Sequence, residues 1–221
     1  MKKSSYGILC VLISAVLLAG CAASGMKSVK QSGFLGDYSQ LRPGGDDRAA
    51  LLYIKPGATL KPYNKLMFER ILVLLSDNAD YQAIDPTILK ELTDYYQNAL
   101  IEAVRSGYEI VDQPGPDVLR VRIAITDIKP SKPVANALST INPVGLAVAG
   151  ATKAVSDDNL GTGEAGTEFE LLDSTTGERL AAAVDRRQGG KAVFRGKWDD
   201  TKNAFDFWAK RFRQRLDEAR Q

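Results

Sequence analysis

Apolar and polar positions follow two different periods along this chain, and the changes of period mark its elements. Leu119, Val121, Ile123 and Ile125 occupy every second position within Val118 to Lys129, with Arg120 and Arg122 between them. Strand side chains alternate between faces, so this spacing predicts a long strand with one apolar and one basic face. Ile88, Leu92, Tyr96, Ala99 and Ala103 recur instead at helical spacing, and Leu89, Leu100 and Val104 widen the stripe. That pattern predicts an amphipathic helix packed on a sheet, with Tyr95 and Tyr96 as packing residues. Asp85-Pro86 suits its start, because Asp accepts from the first free N–H groups and Pro brings none. Gly107 suits its stop. Phe205, Trp208, Phe212 and Leu216 form a second helical stripe after Asp199-Asp200, clothed by Lys210, Arg211, Arg213 and Arg215 as a solvated basic face.

Shorter patterns fill the rest. Arg70 to Ser76 is a continuous apolar run, which predicts a strand covered on both faces. Leu51 to Lys55 and Tyr108 to Asp112 are further strands, and Phe34 to Gly45 is an ordered lead-in loop. Thr167 to Asp173 and Glu178 to Arg187 predict a hairpin around Ser174-Thr175-Thr176-Gly177, where Gly177 supplies the left-handed turn position. Phe169 and Leu171, extended by Leu180, Ala182 and Val184, form its apolar side, and Glu168 and Glu170 point the other way. The predicted order is β-β-α-β-β, an apolar insert, then β-β-α. Hairpins outnumber crossovers, so the fold class is α+β: a single domain, a mostly antiparallel sheet and two main helices packed on one side. The insert, residues 134–160, is rich in Ala and Gly, and Lys153 is its one charge as far as Val155. It reads either as a membrane-contacting or self-associating segment, since small residues permit close helix approach, or as a small-residue helix or loop on the sheet.

The first residues read as an address. Lys2 and Lys3 precede an uncharged apolar run, Tyr6 to Leu18. That run is shorter than the roughly 20 residues a spanning helix needs, and its charged start and small-residue end fit a cleaved signal peptide over residues 1–20. Leu17-Leu18-Ala19-Gly20-Cys21 resembles the bacterial lipobox. Small side chains at Ala19 and Gly20 admit a peptidase to the Gly20–Cys21 bond, and the Cys21 thiol accepts a diacylglycerol. Each buried CH₂ contributes about 0.8 kcal/mol and stable anchoring takes at least two chains, so acylated Cys21 would be a lasting membrane anchor. Ala22 stands where an Asp would resemble an inner-membrane retention signal. The expected place is therefore the outer membrane, facing the periplasm. Residues 21–33 form the lipidated Cys and a flexible Ser/Gly/Lys-rich tether, and residues 34–221 the domain.

Composition removes chemistries. The chain has no histidine, which excludes Ser-His-Asp and Cys-His catalysis, H-E-x-x-H metalloproteases and the usual zinc sites. Cys10 leaves with residues 1–20 and Cys21 becomes a thioether, so the mature chain has neither free thiol nor disulfide. Those residues also carry two of the 29 Lys+Arg and none of the 27 Asp+Glu, which leaves the mature side chains balanced and argues against a nucleic-acid partner. No dinucleotide fingerprint, P-loop or nucleophile elbow is expected. The chain reads as a non-enzyme without cofactor, and a paired-carboxylate hydrolase is the one catalytic alternative.

Phe34-Leu35-x-x-Tyr38-Ser39-x-Leu41, Tyr63-x-Lys65, Glu168-x-Glu170-x-x-Asp173-Ser174-x-Thr176-Gly177-Glu178 and Phe207-Trp208-Ala209 look like the bacterial lipoproteins catalogued as domain of unknown function 3313. The resemblance spans nearly the whole mature chain. It implies a lipoprotein and supplies no catalytic residues. More loosely, strand, helix, Ser106-Gly107-Tyr108-Glu109-Ile110-Val111-Asp112 and long strand are similar to periplasmic modules of the curli secretion lipoprotein and of lipoprotein activators of cell-wall synthases. Those bind proteins, which implies an envelope protein partner by analogy of fold alone.

Two constellations bear on function. Glu168 and Glu170 on one strand face could meet Arg120 and Arg122 on a neighbour. They would form either a polar cleft for a charged ligand or metal, or a salt-bridged ladder on the solvent face, where each pair adds little. Asp157, Asp158 and Glu164 surround a Gly-rich loop, without EF-hand spacing, and read as a Ca²⁺ site or a solvated loop. The expected function is a membrane-anchored binding or assembly module of the cell envelope. The alternative is a small-ligand or metal-binding lipoprotein using the Glu168/Glu170 and Arg120/Arg122 face.

Overall fold

The structure, a computed structural model, describes residues 30–45, 47–75, 84–131, 163–189 and 196–221. The signal peptide, Cys21 and its neighbours, the 134–160 insert, Asp157 and Asp158 lie outside the described residues.

Among the described residues eight strands form one sheet: β1 (Arg42–Pro43), β2 (Leu51–Ile54), β3 (Lys65–Phe68), β4 (Leu72–Val73), β5 (Glu109–Ile110), β6 (Val118–Lys129), β7 (Glu164–Asp173) and β8 (Arg179–Gln188). Their spatial order is β1-β2-β8-β7-β6-β3-β5, and β4 also pairs with β6. Pairing is antiparallel from β1 through β6 and parallel where β3, β4 and β5 join. Within the same described residues two helices, α1 (Pro86–Val104) and α2 (Asp199–Glu218), cover one face. The α+β class, the mostly antiparallel sheet and the pair of helices on one side all stand.

Local chemistry sets α1. The Asp85 carboxylate accepts from Thr87 N at 2.8 Å and Pro86 occupies the first turn. Leu92, Tyr96, Leu100 and Val104 are buried against Leu119, Val121, Ile123 and Ile125 of β6. Tyr96 stacks on Phe205 of α2, 4.4 Å between centroids and 6° between planes. Gly107 does not end α1 by a left-handed turn, since the capping residue Arg105 is right-handed. A Cβ on Gly107 would lie 2.7 Å from the Arg213 guanidinium, the far end of a long side chain, which would have to shift to admit it.

Three expectations need correction. The apolar run Arg70 to Ser76 is not a strand covered on both faces: only Leu72–Val73 pairs within its described part, and Leu72 is 45% exposed while Ile71 turns into the core. An apolar run alone cannot separate a two-faced strand from a short edge segment. Ala182 and Val184 do not share a face with Phe169 and Leu171. They lie opposite Glu170 and Glu168, because a bulge between Leu171 and Leu172 shifts the pairing and one residue of slip reverses the faces. Finally, the second face of the sheet is covered. Leu35 and Leu41 of the lead-in segment are buried on Ala182 and Val184, with Phe34, Tyr38, Leu51 and Tyr53 packed around them.

Candidate functional site

The predicted Glu/Arg constellation assembles under that lead-in segment. Arg122 and Glu170 are directly opposite across β6 and β7 and form an ion pair. The other Glu170 oxygen accepts from Arg179 Nε at 2.6 Å. Arg179 in turn donates to the Leu35 and Asp37 carbonyls at 2.5 and 2.8 Å. Arg120 does not reach Glu168. It pairs with Glu69, whose second oxygen accepts from Arg122 Nε at 3.3 Å. Glu168 is fully buried and accepts from Ser32 N at 2.8 Å and the Tyr38 hydroxyl at 2.6 Å. No cation lies within ion-pair distance of it among the described residues. Burial, and then the bond to Glu168, push the Tyr38 hydroxyl above its ordinary pKa. Glu168 and Glu170 are thus neither a solvent ladder nor an open cleft. Residues 32–41 of the chain itself occupy the space a ligand would need, and the constellation works as a clasp.

Other flagged residues resolve into packing. Glu164 lies within β7, buried and paired with Arg186. Among the described residues no group of three acids or cysteines is placed to hold a metal. Tyr95 donates to Asp206 at 3.0 Å. Gly161-Thr162-Gly163-Glu164-Ala165-Gly166 does spell G-x-G-x-x-G, contrary to expectation. Its last three residues run into β7, whereas a dinucleotide fingerprint must open a helix whose N-terminus faces the pyrophosphate. Asp200, at the start of α2, was not singled out. Its buried carboxylate accepts from the Ser131 hydroxyl at 2.8 Å and Gly163 N at 2.9 Å, tying the ends of β6 and β7 to α2.

The feature the sequence did not announce is a groove of about 620 Å³ between α2 and the β7-β8-β2 side of the sheet. Ala181 and Ala183 form its floor with Leu52, and Ile54 stands at the mouth, 55% exposed. Phe207 and Trp208 form the α2 wall. The floor is hollow because alanines lie where Phe169 and Leu171 of the adjacent strand fill the space. Trp208 Nε1 donates to Asp185 at 2.7 Å, and the other Asp185 oxygen accepts from Ala50 N at 3.2 Å. Four arginines and three carboxylates line the groove. Arg215 pairs with Glu218 and lowers its pKa, with help from Gln214. Arg187 and Arg211 both lie over the Phe207 ring, 3.5 and 5.5 Å from its centroid. Among the described residues the one acid within ion-pair distance of Arg211 is Asp47, 4.0 Å away and 97% exposed, and Arg187 has none. Of the basic cluster read as a solvated face, Arg211 and Arg215 therefore line a cavity, and Arg213 donates at 2.8 Å to the Ser106 hydroxyl, just beyond the end of α1. The run Leu180-Ala181-Ala182-Ala183 was the available sign of a hollow beneath α2.

The chain is 26% identical over 191 residues to the uncharacterized lipoprotein YdcL of Escherichia coli strain K12, covering 86% of this chain and 85% of that protein. Among solved structures it is similar to the PelC dodecamer of Paraburkholderia phytofirmans, at 13% identity and a TM-score of 0.42 over 72% of this chain and 96% of the other. A minor lipoprotein of Acinetobacter baumannii is similar at 11% identity and a TM-score of 0.36, over 72% of this chain and 95% of the other. Residues 30–212 match the family described as "Protein of unknown function (DUF3313)", and the chain belongs to that family.

Proposed function

We propose that this chain is a lipoprotein of the cell envelope whose α+β domain is a binding module rather than an enzyme, and that the α2–sheet groove holds a small apolar ligand. Residues 1–20 are its signal peptide, Cys21 its acylated anchor and the residues after it a tether that ends by Ser32, two residues before the expected boundary, where the Ser32 N–H already bonds the buried Glu168 of the domain. The Ala22 position favours the outer membrane, with the domain in the periplasm. YdcL, a relative over most of its length, carries the name of a lipoprotein.

The observation that carries the binding reading is the hollow floor at Ala181 and Ala183 beneath an aromatic wall, left unfilled in a protein that packs both faces of its sheet elsewhere. Its volume falls among small-molecule sites, which run about 300–1,000 Å³. A protein partner wants a broad surface, about 800 Å² a side, whereas this site is a concavity of about 620 Å³.

A photoreactive residue in place of Ile54, activated in living cells, tests this. The expected product is the chain plus a small mass. Adducts of protein size instead would transfer the groove to an envelope protein partner. The anchor is tested separately: labelled palmitate should enter the parent chain, and equal labelling of Cys21→Ser would remove the anchor.

A further inference from the structure

We propose that the groove is a site for one long-chain carboxylate, with its alkyl chain on the alanine floor and its head group between Arg187 and Arg211. The inference rests on the reading of the groove as a ligand site and adds the ligand's class.

The argument begins with two like charges. Arg187 and Arg211 share one aromatic ring, Phe207, and cations over a ring face are held by its quadrupole. The ring gives them no hydrogen-bond acceptor, so their N–H groups still need one; the exposed Asp47, 4.0 Å from Arg211, is the one acid at ion-pair distance among the described residues. Elsewhere in the protein several partly buried guanidiniums meet acids: Arg122 and Arg179 both bind Glu170, and Arg213 binds Asp217, while Arg220 rests over the Tyr108 ring with no acid within ion-pair distance among the described residues. At Phe207 the acids are otherwise engaged. Asp185 is bound to Trp208 and Ala50 N, and Glu218 to Arg215. Asp47 lies at the limit of ion-pair distance, almost wholly in water. A planar anion at the end of the groove would accept from the two forks, and guanidinium–carboxylate pairing suits that geometry.

The charge balance selects the head. Among the described residues four arginines and three carboxylates line the groove, a positive excess that suits an anionic head. The floor selects the tail. Leu52, Ala181, Ala183 and Ile54 offer no hydrogen-bonding side chain along the groove, so an unbranched hydrocarbon fits and a polar chain would lose its water without replacement.

The test uses the intact lipoprotein in phosphatidylcholine vesicles and a palmitate analogue with a photoreactive group on its alkyl chain. The expected labels fall on peptides containing Ala181–Arg187 and Phe207–Arg211, and unlabelled palmitate competes at least about tenfold better than palmityl alcohol or lysophosphatidylcholine. Arg187→Gln with Arg211→Gln should weaken labelling by a similar factor, and Arg187→Lys with Arg211→Lys should restore part of it. Equal competition by the alcohol, or an unchanged Gln variant, would overturn the carboxylate while leaving an apolar site. Groove peptides that stay unlabelled in the parent, or labels confined to the opposite face of the sheet, would overturn the site as well.

Discussion

Removing one oxygen from Tyr38 should loosen the lead-in segment from the sheet. The Tyr38 hydroxyl donates to Glu168 at 2.6 Å and accepts from Gly33 N at 2.9 Å and Leu35 N at 3.3 Å. Tyr38→Phe keeps the ring and deletes all three bonds. Gly33 is exposed and water replaces its bond, so the main cost falls on Glu168. That carboxylate is fully buried and would retain only Ser32 N as donor among the contacts described. A hydrogen bond to a charged group is worth about 1.5–3 kcal/mol, and the depth of Glu168 places this one near the top of that range. Because residues 32–41 can lift without unmaking the helical layer, the loss appears as local opening. Hydrogen exchange read by mass spectrometry should show segment 33–41 opening roughly 30- to 150-fold more readily in Tyr38→Phe, the equivalent of 2–3 kcal/mol. Amides of α1 should be unchanged. The Glu168→Gln variant closes a double-mutant cycle, in which a coupling of at least about 1 kcal/mol is expected for groups in contact. Unchanged exchange in segment 33–41, or strictly additive variants, would refute the clasp.

Phe205→Ala should cost about 3–5 kcal/mol in denaturant unfolding, because the ring is fully buried and stacked on Tyr96. Gly189→Ala should lower the melting temperature by about 2–4 °C per kcal/mol, with about 1–3 kcal/mol lost, since its Cβ would lie 2.1 Å from the Asp200 carboxyl carbon. The Asp173 carboxyl is held below its ordinary pKa, chiefly by Thr176 N and then by the Tyr63 hydroxyl. A depressed acid contributes stability above its unfolded pKa, so this share is present above about pH 4 and is lost as pH falls through the folded value; Asp173→Asn should flatten the acid limb of unfolding. Tyr63 is pushed up to about 12, first by burial and then by its bond to Asp173. Its contribution is complete below the ordinary value of 10 and disappears toward 12, so Tyr63→Phe should delete a late step in tyrosinate absorbance.

Local pattern made the helical layer legible. The period of β6, the Asp85-Pro86 start and the Gly177 turn each record a decision taken within a few residues, and each is where the pattern puts it. Pattern could not say what covers a face. Glu168 and Glu170 alternate with Phe169 and Leu171 as a solvent-facing set would, yet they are buried by residues about 130 positions earlier in the chain. The four-residue strand β3 left no trace, because Lys65–Phe68 takes its pairing from β5 and β6 rather than from its own period. The groove was hidden for a related reason. Ala181 and Ala183 read as quiet strand positions, and their smallness matters only once α2 passes over them.

That division separates what family membership predicts from what it leaves open. Most residues that carry the resemblance fasten the chain to itself. Leu35, Tyr38 and Leu41 pack the lead-in segment, Glu168 and Glu170 hold it, and Asp173 binds Tyr63 at 2.7 Å across the sheet. Phe207 and Trp208 are the exception, for they wall the groove and the Arg187 and Arg211 guanidiniums lie over the Phe207 ring. The alanine floor, Arg187 and Arg211 lie outside the resembling positions. A relative could therefore keep the clasp, the hairpin and the aromatic wall while changing floor and rim, and so keep the fold while exchanging the ligand. Placing leucine at Ala181 and Ala183 should accordingly abolish labelling by the palmitate analogue and leave exchange in segment 33–41 at the parental rate. Loss of both together would mean that groove and clasp are one structural unit, and the separation argued from their opposite faces would fail.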